Sequence, residues 1–416
     1  MIVAKTALTI LRGGQDRLPR DMRTVGLLAC LVLLAGLLGC SDESDESEPA
    51  GQGPVPAASW PMFHGRQDVT GVAVGRLPRR LSLRWKFKAD RPVKSSPAIE
   101  LAPDDASGRT GRVFVGCNDG NLYALNLADG RKLWAFQTAD AVEAAPLVHE
   151  GAAYVGSVDG FVYALDASSG ALRWKFKTDD KVLGGANWVR SPQGDRTCIL
   201  IGSYDMNLYC LDAATGTKVW SVETGYYVND TPAVVDGKVI FGGCDGQVRI
   251  VSPADGRELS TIQVGGYVAG SPVLLDGRIY AANYEVELFC LDLATGRNVW
   301  EYPGEDAGFY SSPAVSGDRL VIGGLDNKVH CVSRETGKAL WTFATRRQVE
   351  SSPAICGEKV VIGSNDGRLY LLGLADGKLL WSYEVGRDVT SSPAVAGGWV
   401  VVGGEDGGVY AFGARR

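Results

Sequence analysis

Histidine is scarce in this chain, with three among 416 residues, at positions 64, 149 and 330. Each lies in a different segment, so the sequence offers no paired imidazoles for a zinc site. The cysteines show no Cys-x-x-Cys and no adjacent pair. Cys30 and Cys40 lie in an apolar leader, and the seven that remain (117, 198, 210, 244, 290, 331 and 356) are an odd number. A disulfide framework is therefore not expected, and most of the seven sit in strand-like runs that suit small buried apolar residues. Positive charge is short as well. Without the first 39 residues, 37 Lys and Arg face 46 Asp and Glu, a balance of −9. No basic stripe interleaved with aromatics occurs, which argues against a nucleic-acid partner. Helical periodicity is missing from residue 81 onward.

In its place is a repeat. A segment of the form SSPAV recurs around Pro97, Pro146, Pro232, Pro272, Pro313, Pro353 and Pro393, with GGANW around Ala186 as a weaker eighth copy. A second segment, DGxLYAL, begins at Asp119, Asp159, Asp205, Asp245, Glu285, Asp326, Asp366 and Asp406. A third, TGxxLW, puts Trp at 134, 174, 220, 300, 341 and 381, with Ser260 in the Trp position of one copy. The period is close to 40 residues, and the longer intervals coincide with the polar inserts ELAPDDASGRTGR and VRSPQGDRT, which read as loops. Each period holds four short strands: SSPAV, a β-branched run such as VVIGS at 360–364, RLYLL at 368–372 after an Asp-Gly turn, and KLLWSY after another Gly turn. The Asp-Gly pair is read as a two-residue hairpin turn with positive φ at both positions. Four-stranded antiparallel units at this period are β-propeller blades.

The last copy stops at VYAF, before any TGxxLW segment. The segment LSLRWKFKAD at 81–90 carries Trp85 and precedes the first SSPA, a fourth strand with no blade in front of it. Pairing the two completes a blade from both chain ends and removes an open sheet edge. The expected fold is all-β, an eight-bladed propeller of four-stranded antiparallel blades over residues 60–416, closed by the N- and C-terminal strands. Small residues at Ala124, Ala164, Cys210, Cys290, Cys331 and Ala411 share one slot of the third strand. They are expected to leave room for an aromatic ring of the next blade.

The N-terminus carries the one long apolar run, VGLLACLVLLAGLLGC at Val25 to Cys40. It is short of the ~20 residues that a membrane span needs and reads as a signal-peptide core over residues 1–39. Its end, LLGC, resembles the lipobox of bacterial lipoproteins, which implies lipid attachment at Cys40. Met22 is an alternative start. Residues 40–59 follow with five carboxylates, no Lys or Arg and three Pro, the composition of a disordered tether.

The repeat SSPAVxxGxVxVGSxDGxLYALDAxTGxxLW resembles the PQQ-like propeller repeat over about residues 60–412, and the lead-in WPMFHGRQDVTGVA at 60–73 resembles the segment before the first blade in that family. The landmarks of WD40 repeats are missing. The resemblance implies one of two kinds of protein. Quinoprotein dehydrogenases hold pyrroloquinoline quinone with calcium, an Asp base, an Arg and often an adjacent-cysteine disulfide. BamB-like envelope lipoproteins are non-catalytic. No adjacent cysteines occur, the hairpin Asp residues are explained by turn geometry, and Trp188, a conceivable quinone floor, suits the core of a divergent blade. The expectation is a scaffold without catalysis, cofactor or metal, lipid-anchored in the bacterial envelope and facing the periplasm from the outer membrane, where Ser41 after Cys40 favours that membrane. Its partners would be envelope proteins, and the most concrete role is an accessory in outer-membrane protein assembly. The alternatives are a PQQ- and calcium-dependent dehydrogenase and a carbohydrate-binding or cell-surface module. Recognition is expected on the loops before each SSPA segment. These carry Tyr226, Tyr227, Tyr267, Phe309 and Tyr310 in three consecutive blades, then Arg346, Arg347 and Arg387, then Arg91 and Lys94 across the closure. Aromatic and Arg side chains are the usual anchors of protein interfaces. Carboxylates Asp140, Glu143, Asp179 and Asp180 occupy the remaining loops.

Overall fold

The computed structural model describes residues 58–415 apart from 106–107, 192–193, 195, 286 and 305–306. The expected signal peptide, the Cys40 attachment site and the tether up to residue 57 lie outside the described residues. Among these residues there are only strands and turns, and no helix is long and apolar enough to cross a membrane.

Eight antiparallel sheets follow one another along the chain. Blade 1 comprises Ala98–Leu101, Gly111–Gly116, Asn121–Asn126 and Lys132–Gln137, ordered from the innermost strand to the outermost. Blades 2 to 7 repeat this order and end on outer strands at Leu172–Lys177, Lys218–Glu223, Glu258–Gln263, Asn298–Pro303, Ala339–Ala344 and Leu379–Glu384. Blade 8 takes Ala394–Ala396, Trp399–Gly403 and Gly408–Gly413 from the C-terminus, and its outer strand is Ser82–Lys88. That strand runs antiparallel to Gly408–Gly413, with Trp85 opposite Ala411 and Lys86 opposite Tyr410. The closure read from the missing last strand is thus present. Every outer strand carries a register shift against its third strand, as between Ala124 and Leu125. Such bulges blunt an edge that would otherwise template pairing with another chain.

The core lies between blades rather than inside each one. Phe114, Leu122 and Ala124 of blade 1 pack with Val148, Ala153 and Tyr163 of blade 2. The small third-strand residues stand opposite their own blade's Trp, Ala124 with Trp134, Cys210 with Trp220 and Cys331 with Trp341, and Ala124 also packs with Tyr163 of the next blade. The indole then crosses to the following blade. Trp85 Nε1 donates to the Leu127 carbonyl at 2.7 Å and Trp174 Nε1 to the Ala213 carbonyl at 2.9 Å. Each of these rings lies against a turn glycine of that blade. A Cβ on Gly130 would sit 2.6 Å from Trp85, and one on Gly216 2.6 Å from Trp174. The small slot is needed because the ring must tilt across its own strand to reach the neighbour.

The Asp-Gly turns differ from the two-residue reading. In blade 1 the Cys117 N–H donates to the Asn121 carbonyl and the Gly120 N–H to the Cys117 carbonyl, at 3.0 and 3.1 Å. Only Gly120 has positive φ, at 86°. This is a three-residue loop, a type I turn followed by a left-handed residue. Met206 and Asn327 hold the left-handed position where Gly is missing, at φ 69° and 66°. Asp fits because its carboxylate is used twice: Asp119 accepts the Asn121 N–H at 2.9 Å and the Tyr123 hydroxyl at 2.8 Å.

Residues 59–73 line the inside of the ring. Trp60 exchanges backbone hydrogen bonds with Ile99 of blade 1, and the Ser59 hydroxyl accepts the Leu101 N–H. The Pro61 carbonyl takes the N–H of Val148, Gln67 that of Val234, Thr70 that of Val315 and Gly71 that of Ile355. In blade 3 the contact is made by side chains, Gln67 Nε2 to the Trp188 carbonyl and Asn187 Nδ2 to the Gln67 carbonyl, at 2.8 and 2.9 Å. Val72–Ala73 then pairs in parallel with Ile355–Cys356. Innermost strands leave one row of N–H groups without a strand partner, and unpaired buried N–H groups are costly. This segment satisfies them in blades 1, 2, 4, 6 and 7, and packs Trp60, Met62, His64 and Val69 out of solvent. It enters beside Leu101 and leaves beside Cys356, both at the ends of innermost strands away from the SSPA loops.

Candidate functional site

The loops before each SSPA segment and the Asp-containing hairpins share one rim. The Val142 N–H bonds the Cys117 carbonyl at 3.0 Å and the Ala139 N–H bonds Asp159 Oδ2 at 2.9 Å. Most of the expected partner-binding residues are on this rim's surface. Tyr226, Tyr267 and Tyr310 are 39, 51 and 42% exposed, Tyr227 is half-buried, and Arg91, Arg346, Arg347 and Arg387 are exposed. Phe309 does not belong with them. It is completely buried, with its ring centroid 5.5 Å from that of His330. It occupies the position held by Val93, Val142, Val182, Val228, Val268, Val349 and Val389 in the other loops, all buried. That position closes over the end of the preceding blade's second strand, as Val142 does over Gly116.

The tyrosines form a row. Tyr226 and Tyr227 have centroids 4.2 Å apart, and Tyr226 lies 6.1 Å from Tyr267 with ring planes 11° apart. Tyr204, which sequence reading passed over, stacks on Tyr227 at 4.4 Å, and Lys181 sits 4.4 Å above the Tyr204 ring. Tyr284 is 50% exposed. Tyr204 and Tyr284 each stand one residue before the first residue of their DGxLYAL segment. The periodic position just ahead of that segment was the available signal. The arginines are not equivalent: Arg347 pairs with Asp388 Oδ1 at 2.8 Å and donates to the Asn365 carbonyl, whereas Arg346, Arg387 and Arg91 have no side-chain ion pair among the described residues.

Inside this rim is a funnel of about 280 Å³. Its wall contains the second hydroxyl residue of the SSPA segments, joined blade to blade. The Thr231 N–H donates to Ser271 Oγ, Ser271 to Ser312, Ser312 to Ser352, Ser352 to Ser392 and Ser392 to Ser96, all at 2.8–3.0 Å. Phe63 of the inner segment, Tyr310, and the carboxylates Glu143, Glu350, Glu405 and Asp230 complete it, with Lys94 as its cation. Burial pushes the Asp230 carboxyl up to about 7. Trp188 is elsewhere, stacked on His149 at 3.9 Å.

Fold and repeat together define a β-propeller of the PQQ-like class. The chain belongs to the family described as outer membrane protein assembly factor BamB, whose model matches residues 82–192, 118–324 and 325–416. BamB from Moraxella catarrhalis superposes with a TM-score of 0.66 at 20% identity, over 80% of this chain and all of that one. The quinohemoprotein alcohol dehydrogenase ADHIIG from Pseudomonas putida HK5 gives 0.69 at 14% identity, over 86% of this chain and 81% of that one. At these identities the likeness is one of fold. A 1-butanol dehydrogenase (quinone) of Thauera butanivorans is 31% identical over 110 residues, 23% of this chain. The chain spans 7% and 18% of the lengths of two curated relatives it matches, the second being that dehydrogenase.

The funnel's donor set does not fit a calcium-held quinone. Hard cations need several converging oxygens, and among the described residues no cluster of three or more Asp, Glu, His or Cys could hold a metal ion. Glu143, Glu350 and Glu405 come from different blades and are each tied to a neighbouring Asn or Thr.

Proposed function

We propose that this protein is a non-catalytic binding scaffold of the bacterial envelope, lipid-anchored at Cys40, that captures protein partners on the SSPA-loop rim as a BamB-like accessory in outer-membrane protein assembly. The observation that carries the reading is the rim itself. A stacked row of tyrosines in blades 3 to 5, with Tyr226 and Tyr267 exposed and Tyr204 and Tyr227 half-buried, gives way to exposed arginines on the loops entering blades 7, 8 and 1, on a ring locked by indoles and by an inner segment. Aromatic and Arg groups on a rigid scaffold lose little entropy on binding. Family membership supports the same reading. Equal alkynyl fatty-acid labelling of wild type and Cys40→Ala would remove the anchor from this account.

Charge reversal at Arg346, Arg347 and Arg387 tests the rim. Capture of envelope partners by the intact protein should fall at least about tenfold, since an interface Arg anchor is worth about 2 kcal/mol or more. Melting should shift little, because exposed pairs such as Arg347–Asp388 contribute about 0–1 kcal/mol. Undiminished capture would move the site off this rim. The dehydrogenase reading is favoured by the quinone-dependent relative, and dye reduction that requires added PQQ and calcium would replace the scaffold reading with it.

A further inference from the structure

The funnel holds more hydrogen-bond acceptors than its own residues satisfy. Glu143 Oε1 accepts from Asn118 Nδ2 at 2.6 Å, Glu350 Oε1 from Asn365 Nδ2 at 2.7 Å and Glu405 Oε1 from Thr390 Oγ1 at 3.1 Å. Each carboxylate is fixed in place through one oxygen, and its second oxygen has no partner among the described residues. Lys94, the cation on this wall, approaches only Glu143, at a loose 3.9 Å.

Asp230 gives a second, independent sign. It is 3% exposed, and its Oδ2 accepts the Gly242 N–H at 2.7 Å while its Oδ1 has no partner. The same slot holds Ser95, Ser311, Ser351 and Ser391 in four other blades. There the hydroxyl accepts the equivalent glycine N–H and donates onward to a carbonyl, as Ser95 does to Ala144 at 2.8 Å. A serine in that slot is satisfied by the protein. An aspartate is not, and Asp230 is part of the funnel wall. A buried acceptor without a donor is rare in native proteins and calls for a partner.

A ligand rich in donors and without acceptors matches this wall. An alkylammonium has three N–H donors and a guanidinium five, and neither accepts. A neutral polyol brings as many acceptors as donors and would leave the excess unmatched. Charge agrees, with three glutamates against one lysine, and the exposed Tyr310 ring at the same funnel suits a cation. We propose that the funnel is a binding site for alkylammonium or guanidinium groups, taken up separately along its wall by Glu350, Glu405 and Glu143 and by the unpartnered oxygen of Asp230. A free polyamine and an Arg or Lys side chain on a polypeptide present the same group. The site shares Tyr310 with the partner-binding rim but none of the rim's arginines.

Titration calorimetry at low salt on the intact protein tests this with two probes, spermidine and the peptide acetyl-Gly-Gly-Arg-Gly-Gly-amide. Saturable one-to-one binding of at least one probe is expected, and the tighter probe identifies the source of the group. Glu350→Gln, Glu405→Gln and Asp230→Ser should each weaken it about tenfold or more, the worth of a charge-assisted hydrogen bond. Their melting curves report whether they fold, and serine is the repeat's own residue at position 230. No saturable binding of either probe would overturn the proposal. So would binding that the folded variants leave unchanged, or glucose bound as tightly as the cations.

Discussion

Replacing Asp230 by serine should make the protein more stable, and increasingly so as pH rises. The carboxyl is buried and its pKa is pushed up to about 7, against about 3.9 in an unfolded chain. Because the folded-state pKa is the higher one, the folded protein binds a proton that the unfolded chain has already lost. Stability from this group is therefore complete below about pH 4 and declines until the pH passes about 7. Tenfold in an ionisation constant is worth about 1.4 kcal/mol, so the whole decline is roughly 4 kcal/mol, and about half of it falls between pH 5.5 and 8.5. Serine keeps the bond to the Gly242 N–H, as Ser311 does to Gly323 at 3.2 Å, and never ionises in this range. Urea unfolding of wild type and Asp230→Ser at the two pH values measures the gap between them, and other titrating groups cancel. The gap should widen by about 2 kcal/mol in favour of serine, and Asp230→Asn should widen it similarly. A gap that stays constant with pH would refute a buried, unpartnered carboxyl at this position.

Two further outcomes follow from the blade latches and the inner segment. Gly216→Ala puts a Cβ 2.6 Å from the Trp174 ring at φ 73°, whereas Gly296→Ala meets nothing nearer than Ile262 at 3.6 Å, at φ 66°. The second should cost about 1 kcal/mol for the left-handed backbone alone, and the first at least about 2 kcal/mol more, because the indole is displaced; equal losses in urea unfolding would sink the latch. Deleting residues 60–73 should lower the melting temperature far more than deleting 41–57, since it removes the partners of five inner-strand N–H groups and six buried side chains, and comparable melting curves would contradict the described path.

The ring was legible because its physics is periodic. Alternating strand segments, turn signals and Trp recur every ~40 residues, and the Trp missing after VYAF finds its equivalent in Trp85. The inner segment was not legible as to its path. Residues 60–73 have no period, and their main partners are backbone N–H groups, which leave no mark in a sequence. Phe309 was misjudged by residue type, although its alignment with seven buried valines in the other loops carried the answer. The tyrosine row was found in part, through Tyr226, Tyr227 and Tyr267. Tyr204 and the funnel carboxylates needed blade-by-blade register, since Glu143 and Glu350 occupy the same position of their loops as Lys94 and Tyr310.

The inner segment also imposes an order on folding. Residues 60–73 are made before any blade, yet their last partners are Ile355 and Cys356 of blade 7. Ser82–Lys88 likewise waits for Gly408–Gly413, and Arg84 reaches the Ala414 carbonyl 330 positions along the chain. Blades can form one at a time from local hairpins, but the inner row of N–H groups is not complete until blade 7 is made, nor the eighth sheet until the final strand arrives. A topology so dominated by distant pairings folds slowly, and its open intermediates expose strand edges to other chains. Such a chain depends on being kept from its neighbours until its two ends meet.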